Sequence, residues 1–126
     1  GTIVLAEGRL AEPALKLDRA RHKDVTVESA AGGPPAVIDF ISPPGAKGGA
    51  MLEASQVEGF RLRNVEFDGK GQAEYGVQIN GHAAGVALEG VTVRNVSAAG
   101  VRLWNAAGEA GRPVVLDRVR VVLPAS

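Results

Sequence analysis

Three stretches decide the fold: Phe60-Arg-Leu62-Arg-Asn-Val65-Glu-Phe67, Val86-Ala-Leu88-Glu-Gly-Val91-Thr-Val93 and Val114-Val-Leu116-Asp-Arg-Val119-Arg-Val121. Each reads apolar–x–apolar, two polar or turn residues, then apolar–x–apolar again. They recur at steps of 26 and 28 residues. Within each half, apolar and other residues alternate, which is the period of a strand with one buried face. The two-residue interruption is too short for a hairpin that keeps both apolar faces on one sheet pair. It suits a sharp bend that sends the chain onto a second sheet.

A further short strand precedes each bent pair: Ala50-Met-Leu52, Val77-Gln-Ile79 and Val101-Arg-Leu103. Each repeat therefore carries a first, second and third strand. The N-terminal part follows the same order, with Leu15-Lys-Leu17 first, Val25-Thr-Val27 second and Ile38-Asp-Phe40 third. Ile3-Val-Leu5 reads as the third strand of the coil before. Ile3 to Ile38, Leu15 to Ala50 and Val25 to Phe60 are each 35 apart, and Ile38 to Val65 and Ala50 to Val77 are each 27. This predicts an all-β chain, a right-handed parallel β-helix of about four coils. Residues 1–126 form one domain. Phe67 is expected over Phe40, and Ile79 beside Leu103. The extra length of the early coil falls in Ser29–Pro35 and Ser42–Gly49, both rich in Gly, Pro or Ala, and a solenoid admits insertions only at its turns. Leu10 joins no strand in this register and is read as cover for the N-terminal end. Arg9 to Arg21 would make only a poor helix, so βαβ topology is disfavoured.

Lysine plus arginine equals aspartate plus glutamate, 14 each, so the basic excess of a nucleic-acid binder is missing. The nearest basic cluster, Arg19, Arg21, His22 and Lys23, is broken by Ala20 and Asp24 and reads as a solvated turn. The absence of cysteine excludes disulfides, thiolate metal sites and a cysteine nucleophile. No apolar run approaches the ~18 residues of a membrane span, so no membrane insertion is expected. The chain opens and closes on strand-like segments, so the expectation is a fragment of a longer protein. Open strand edges and an uncovered core at the two ends lead to an expectation of self-association.

The opening Gly1-Thr-Ile-Val-Leu-Ala-Glu-Gly8, the segment Asp24-Val-Thr-Val-Glu-Ser-Ala-Ala-Gly-Gly33 with Ala36-Val-Ile-Asp39, and the coils Val57–Asp68 and Ala84–Asn95 resemble the pectate-lyase-like superfamily of parallel β-helices. The resemblance covers nearly the whole chain and implies the fold. It does not name a reaction, because the superfamily includes polysaccharide lyases, galacturonases, epimerases, phage tailspikes, adhesins and non-catalytic surface domains. Such coils are also found attached to some bacterial serine/threonine kinases, as sensor regions.

In the catalytic relatives, acid, base and cation side chains gather on the outer face of the first sheet. This sequence offers Lys16, Met51, Gln78 and Arg102 there, with Asp18, Glu53, Asn80 and Trp104 just beyond the strands. Arg102 and Lys16 would suit a lyase but lie three coils apart, ~14 Å at one strand spacing per coil. Asn80-Gly-His82 resembles the Gly-His-Gly of galacturonases, but that family's flanking aspartates and Arg-x-Lys are missing, so His82 is read as a loop histidine. His22 and His82 stand far apart with no clustered carboxylates, so no metal or other cofactor is expected. Asp39, Asp68 and Asp117 are read as residues that end or bend strands. Trp104 and Tyr75 are the two large amphipathic aromatics, and rings there could stack on a sugar. The expectation is thus a non-catalytic surface, sensor or scaffold module of a bacterial protein, outside the cell or in the periplasm. Its candidate carbohydrate contacts are Trp104, Tyr75, Arg102, Gln78 and Asn80. The alternatives are a fragment of a polysaccharide lyase or hydrolase and an accessory region of a kinase.

Overall fold

A computed structural model describes residues 2–5, 8–12, 15–18, 23–30, 34–41, 49–107, 111 and 113–122. It is a parallel β-solenoid of about four coils with three strands per coil, and no helix occurs among the described residues. The first sheet holds β3 (Leu15–Asp18), β6 (Ala50–Ser55), β9 (Tyr75–His82) and β12 (Ala99–Ala107). The second holds β1 (Thr2–Leu5), β4 (Thr26–Ser29), β7 (Arg61–Arg63), β10 (Ala87–Glu89) and β13 (Val115–Asp117). The third holds β2 (Arg9–Glu12), β5 (Ala36–Phe40), β8 (Val65–Asp68), β11 (Thr92–Arg94) and β14 (Arg120–Val122). Each strand pairs in parallel with its counterpart one coil away, as in Leu62 with Leu88 and Leu88 with Leu116.

The bend between second and third strands turns on one left-handed residue per coil. Asn64, Gly90 and Arg118 have φ of 53°, 63° and 53°. The bends stack: Asn64 N–H donates to the Glu89 carbonyl and Gly90 N–H to the Asp117 carbonyl, each at 2.9 Å. A Cβ on Gly90 would lie 2.5 Å from Asn64 Oδ1, so this coil needs glycine for space as well as for φ.

The middle coils bury the expected apolar columns. Phe60, Leu62, Val65, Phe67, Val77, Ile79, Val86, Leu88, Val91 and Val93 are all essentially excluded from water. Burial of a Val, Leu, Ile or Phe side chain contributes about 1.5–3 kcal/mol, so these columns are the main force holding coil to coil. The same columns emerge on the edge strands, where Ile3, Leu103, Leu116 and Val121 stay exposed. Gly76, within β9, packs closely on the core: a Cβ there would lie 2.5 Å from a Val93 methyl and 2.8 Å from the Gly100 carbonyl oxygen.

The early register differs from expectation. Ile3 pairs with Val27, which puts β1 in the second sheet rather than the third. The third-sheet place is taken by β2, where Leu10 pairs with Ile38 and so belongs to a strand. Hydrophobic alternation cannot tell one sheet from another, and a two-residue slip preserves it. That accounts for three more shifts. Leu15 pairs with Leu52 rather than Ala50, Val77 also pairs with Leu52, and Phe67 pairs with Ile38 rather than lying over Phe40. Ile79 does lie beside Leu103. Ser29 closes β4, while residues 31–33 and 42–48 of the two expected loops, with Arg19, Arg21 and His22, lie outside the described residues.

Candidate functional site

The outer face of the first sheet carries two columns of polar side chains. Lys16, Glu53, Gln78 and Arg102 form one, and Ser55, Asn80 and Trp104 form the other; the backbone of Asp18 is in register with Ser55. Glu53, Asn80 and Trp104 therefore stand within strands, not just beyond them. Met51 is not available on this face: it is buried in the core cluster, and Glu53 takes the place expected for it, in register with Gln78. The columns are joined by hydrogen bonds. Gln78 Nε2 donates to Asn80 Oδ1 at 2.8 Å, Asn80 Nδ2 to Ser55 Oγ at 3.2 Å, and Ser55 Oγ to a Glu53 carboxylate oxygen at 3.4 Å. Such a chain holds neighbouring polar groups at fixed positions on a rigid surface.

At the C-terminal side of this face the two aromatics meet one cation. The Arg102 guanidinium lies 4.8 Å from the centre of the Tyr75 ring and 4.3 Å from that of Trp104. Both distances are within cation–π range. Tyr75 is in β9, in register with Ala99, and its ring reaches Arg102 on the neighbouring strand β12. Trp104 keeps 53% of its surface exposed, the largest apolar area on this face. All five residues expected to contact carbohydrate thus lie on two adjacent strands. Lys16 is three strand steps from Arg102, ~14 Å, and does not join them.

Comparison of the chain with family profiles, curated proteins and solved structures finds no match. The reading of this site therefore rests on its own geometry.

Two further clusters went unread in the sequence. Asp39 lies inside β5 rather than at its end, and Asp39 and Asp68 are neighbours in register on the third sheet. Arg9 reaches both, with Nη2 at 2.9 Å from Asp68, and the Lys70 ammonium lies 3.5 Å from Asp39 and 3.9 Å from Asp68. Asn95 Nδ2 and the Lys70 backbone N–H both donate to Asp68 Oδ1 at 3.0 Å. The hydrogen bond from Arg9 is the main reason that Asp39 titrates below the usual carboxylate range. Burial pushes Asp68 up, but the donors from Asn95, Lys70 and Arg9 outweigh it, and its pKa is also lowered. The signal was present, because the 29-residue spacing of Asp39 and Asp68 is a coil step.

The second cluster is His82 with Glu58. His82 is the last residue of β9, not a loop residue, and its Nε2 lies 2.9 Å from Glu58 Oε1. Lys23 approaches the other oxygen of Glu58 at 4.0 Å. Among the described residues, no group of three or more His, Cys, Asp or Glu side chains could hold a metal ion.

Proposed function

We propose that this chain is a non-catalytic binding module of the pectate-lyase-like kind, and that it takes a polysaccharide on the outer face of its first sheet. The observation that carries this reading is the Tyr75–Arg102–Trp104 cluster beside a hydrogen-bonded polar ladder. A half-exposed indole offers a flat apolar face for the C–H side of a pyranose ring. Arg102, Gln78 and Asn80 offer donors for its hydroxyl or carboxylate groups. Successive coils repeat at ~4.8 Å, about the length of one sugar, so an extended glycan running along the solenoid axis follows a polar column and meets one coil per sugar. Supporting surfaces of this kind bind without chemistry, since an acid, a base and a cation do not converge here. Calorimetry with oligogalacturonate, alginate and cello-oligosaccharides tests it. The expected result is saturable binding of at least one glycan, weakened roughly tenfold, about 1.4 kcal/mol, by Trp104→Ala or Arg102→Ala.

One observation favours an enzymatic alternative. The His82–Glu58 pair has the spacing of a carboxylate-oriented general base. Release of unsaturated or reducing sugar from the same panel, lost on His82→Gln, would establish it in place of the binding reading.

We also infer that copies of the chain associate end to end. The edge strands expose Leu116, Leu103 and Val121 on one side and Ile3 on the other. Stacking in register would put Leu116 over Ile3 and Val121 over Leu10. It would also put Arg102 over Lys16 and Arg120 over Arg9, so repulsion opposes association until salt screens it.

A further inference from the structure

A groove of about 500 Å³ runs along the outer face of the second sheet, a size suited to a small ligand. Its floor is the turn column Gly59, Gly85 and Gly111, left-handed in each coil with φ of 67°, 71° and 78°. Glycine at these positions leaves bare backbone under the groove. Asp24 precedes them in the column, and its carboxylate lies in the space a Gly59 side chain would take. Beside the floor, one residue per coil, stand Thr26, Arg61, Ala87 and Val115 in register. The row is polar at its first two positions and apolar at its last two, where Pro113 also lines the groove. Ala87 faces outward, alternating with inward Leu88, yet keeps only 8% of its surface exposed, so the groove is walled at that level.

The charges in this groove are unequally engaged. Glu89 is held by Arg63 at 3.4 Å, and Arg63 also reaches Glu28 at 3.9 Å. Exposed Arg61, in the middle of the groove, has no ion pair or side-chain hydrogen bond among the described residues.

We propose that the groove binds a monocarboxylate with an apolar body about two coils long. The carboxylate sits on the Arg61 guanidinium, whose planar fork matches it with two parallel hydrogen bonds. Thr26, adjacent in register, supplies a hydroxyl donor. The apolar body lies along Ala87, Val115 and Pro113 over the glycine floor. Arg61 is the one cation among the described residues that line the groove, so a single carboxylate matches its charge. This is a separate surface from the first-sheet platform, and the fate of one proposal does not decide the other.

The test is an amide chemical-shift titration of the full chain with N-acetyl-Val-Leu, which carries a free carboxylate, and with the same dipeptide as its C-terminal amide. The expected result is saturable shifts at Thr26, Arg61, Ala87 and Val115 with the acid, and the Trp104 indole signal unmoved. The amide form, and the acid with Arg61→Gln, bind at least tenfold more weakly. Ala87→Glu, which places a carboxylate in register with Arg61, has the same effect as Arg61→Gln. Shift dispersion away from the groove checks that both variants fold. No saturable shift at millimolar acid, equal binding of acid and amide, unchanged binding by Arg61→Gln, or shifts centred on Tyr75 and Trp104 would each overturn the proposal.

Discussion

Replacement of Asp68 by alanine is expected to loosen three coils at once. Among the described residues Asp68 is the one charged residue in the buried set, and its carboxylate meets Arg9 from the coil before Asp39, Lys70 of its own turn and Asn95 of the next coil. The two hydrogen bonds from Asn95 Nδ2 and the Lys70 backbone N–H are to an ionised acceptor in a half-buried setting, worth about 1–1.5 kcal/mol each. The ion pairs to Arg9 and Lys70 add little, because those side chains are 51% and 47% exposed. The total is about 2–3 kcal/mol, which for a domain of this length lowers Tm by about 8–12 °C. The pH dependence gives a second arm. Asp39 and Asp68 both titrate below the ordinary carboxylate value of 3.8. Their stabilisation is therefore complete above that value and is lost as pH falls through the lower folded-state values. Thermal melts followed by circular dichroism should show a large gap between wild type and Asp68→Ala at pH 7 that narrows below pH 3.8. Equal Tm at pH 7, or a gap that persists undiminished in acid, would refute this account of the cluster.

Other outcomes follow from the same geometry. Gly76→Ala should cost about 1–3 kcal/mol through overpacking against Val93, and a melt no lower than wild type would mean that the two sheets separate there easily. Asn64→Val should cost about 1–2 kcal/mol, since a β-branched residue resists the left-handed bend, whereas Asn64→Gly should cost less; urea melts of the pair check the order. Sedimentation at micromolar protein should show association that grows as salt rises from 0.05 to about 1 M, where the screening length falls to about 3 Å. A monomer at every salt concentration, or association that weakens with salt, would remove end-to-end stacking from the account.

Much of the fold was legible because the solenoid repeats one simple instruction. The bent strand pairs at Phe60, Val86 and Val114 keep short, similar steps of 26 and 28 residues, so Leu62, Leu88 and Leu116 stack as their spacing demands. The early coil was harder to read for a physical reason. Alternation fixes which side of a strand faces inward but survives a slip of two residues, so Leu52 and Ala50 were equally acceptable partners for Leu15. Leu10 was missed as a strand residue because its segment is short and edged by the charged residues Arg9 and Glu12, and the partner that fixes Arg9, Asp39, lies a coil away. The candidate site was legible as a list. Tyr75, Gln78, Asn80, Arg102 and Trp104 all fall on one face, but the meeting of Arg102 with both rings depends on side-chain direction, which spacing along the chain does not state. Apart from Lys70, which neighbours Asp68 in sequence, the contacts of Asp68 with Arg9 and Asn95 and of His82 with Glu58 join residues 24 to 59 positions apart, and no local pattern marks them.

Trp104 is the chain's single tryptophan and the centre of the proposed binding face. Its fluorescence therefore reports on that face with no other signal to subtract. The account predicts that one of the extended polysaccharides produces a saturable change in Trp104 emission and protects the ring from iodide quenching, and that Arg102→Ala weakens both about tenfold. Emission and quenching that stay unchanged through saturating polysaccharide would contradict it.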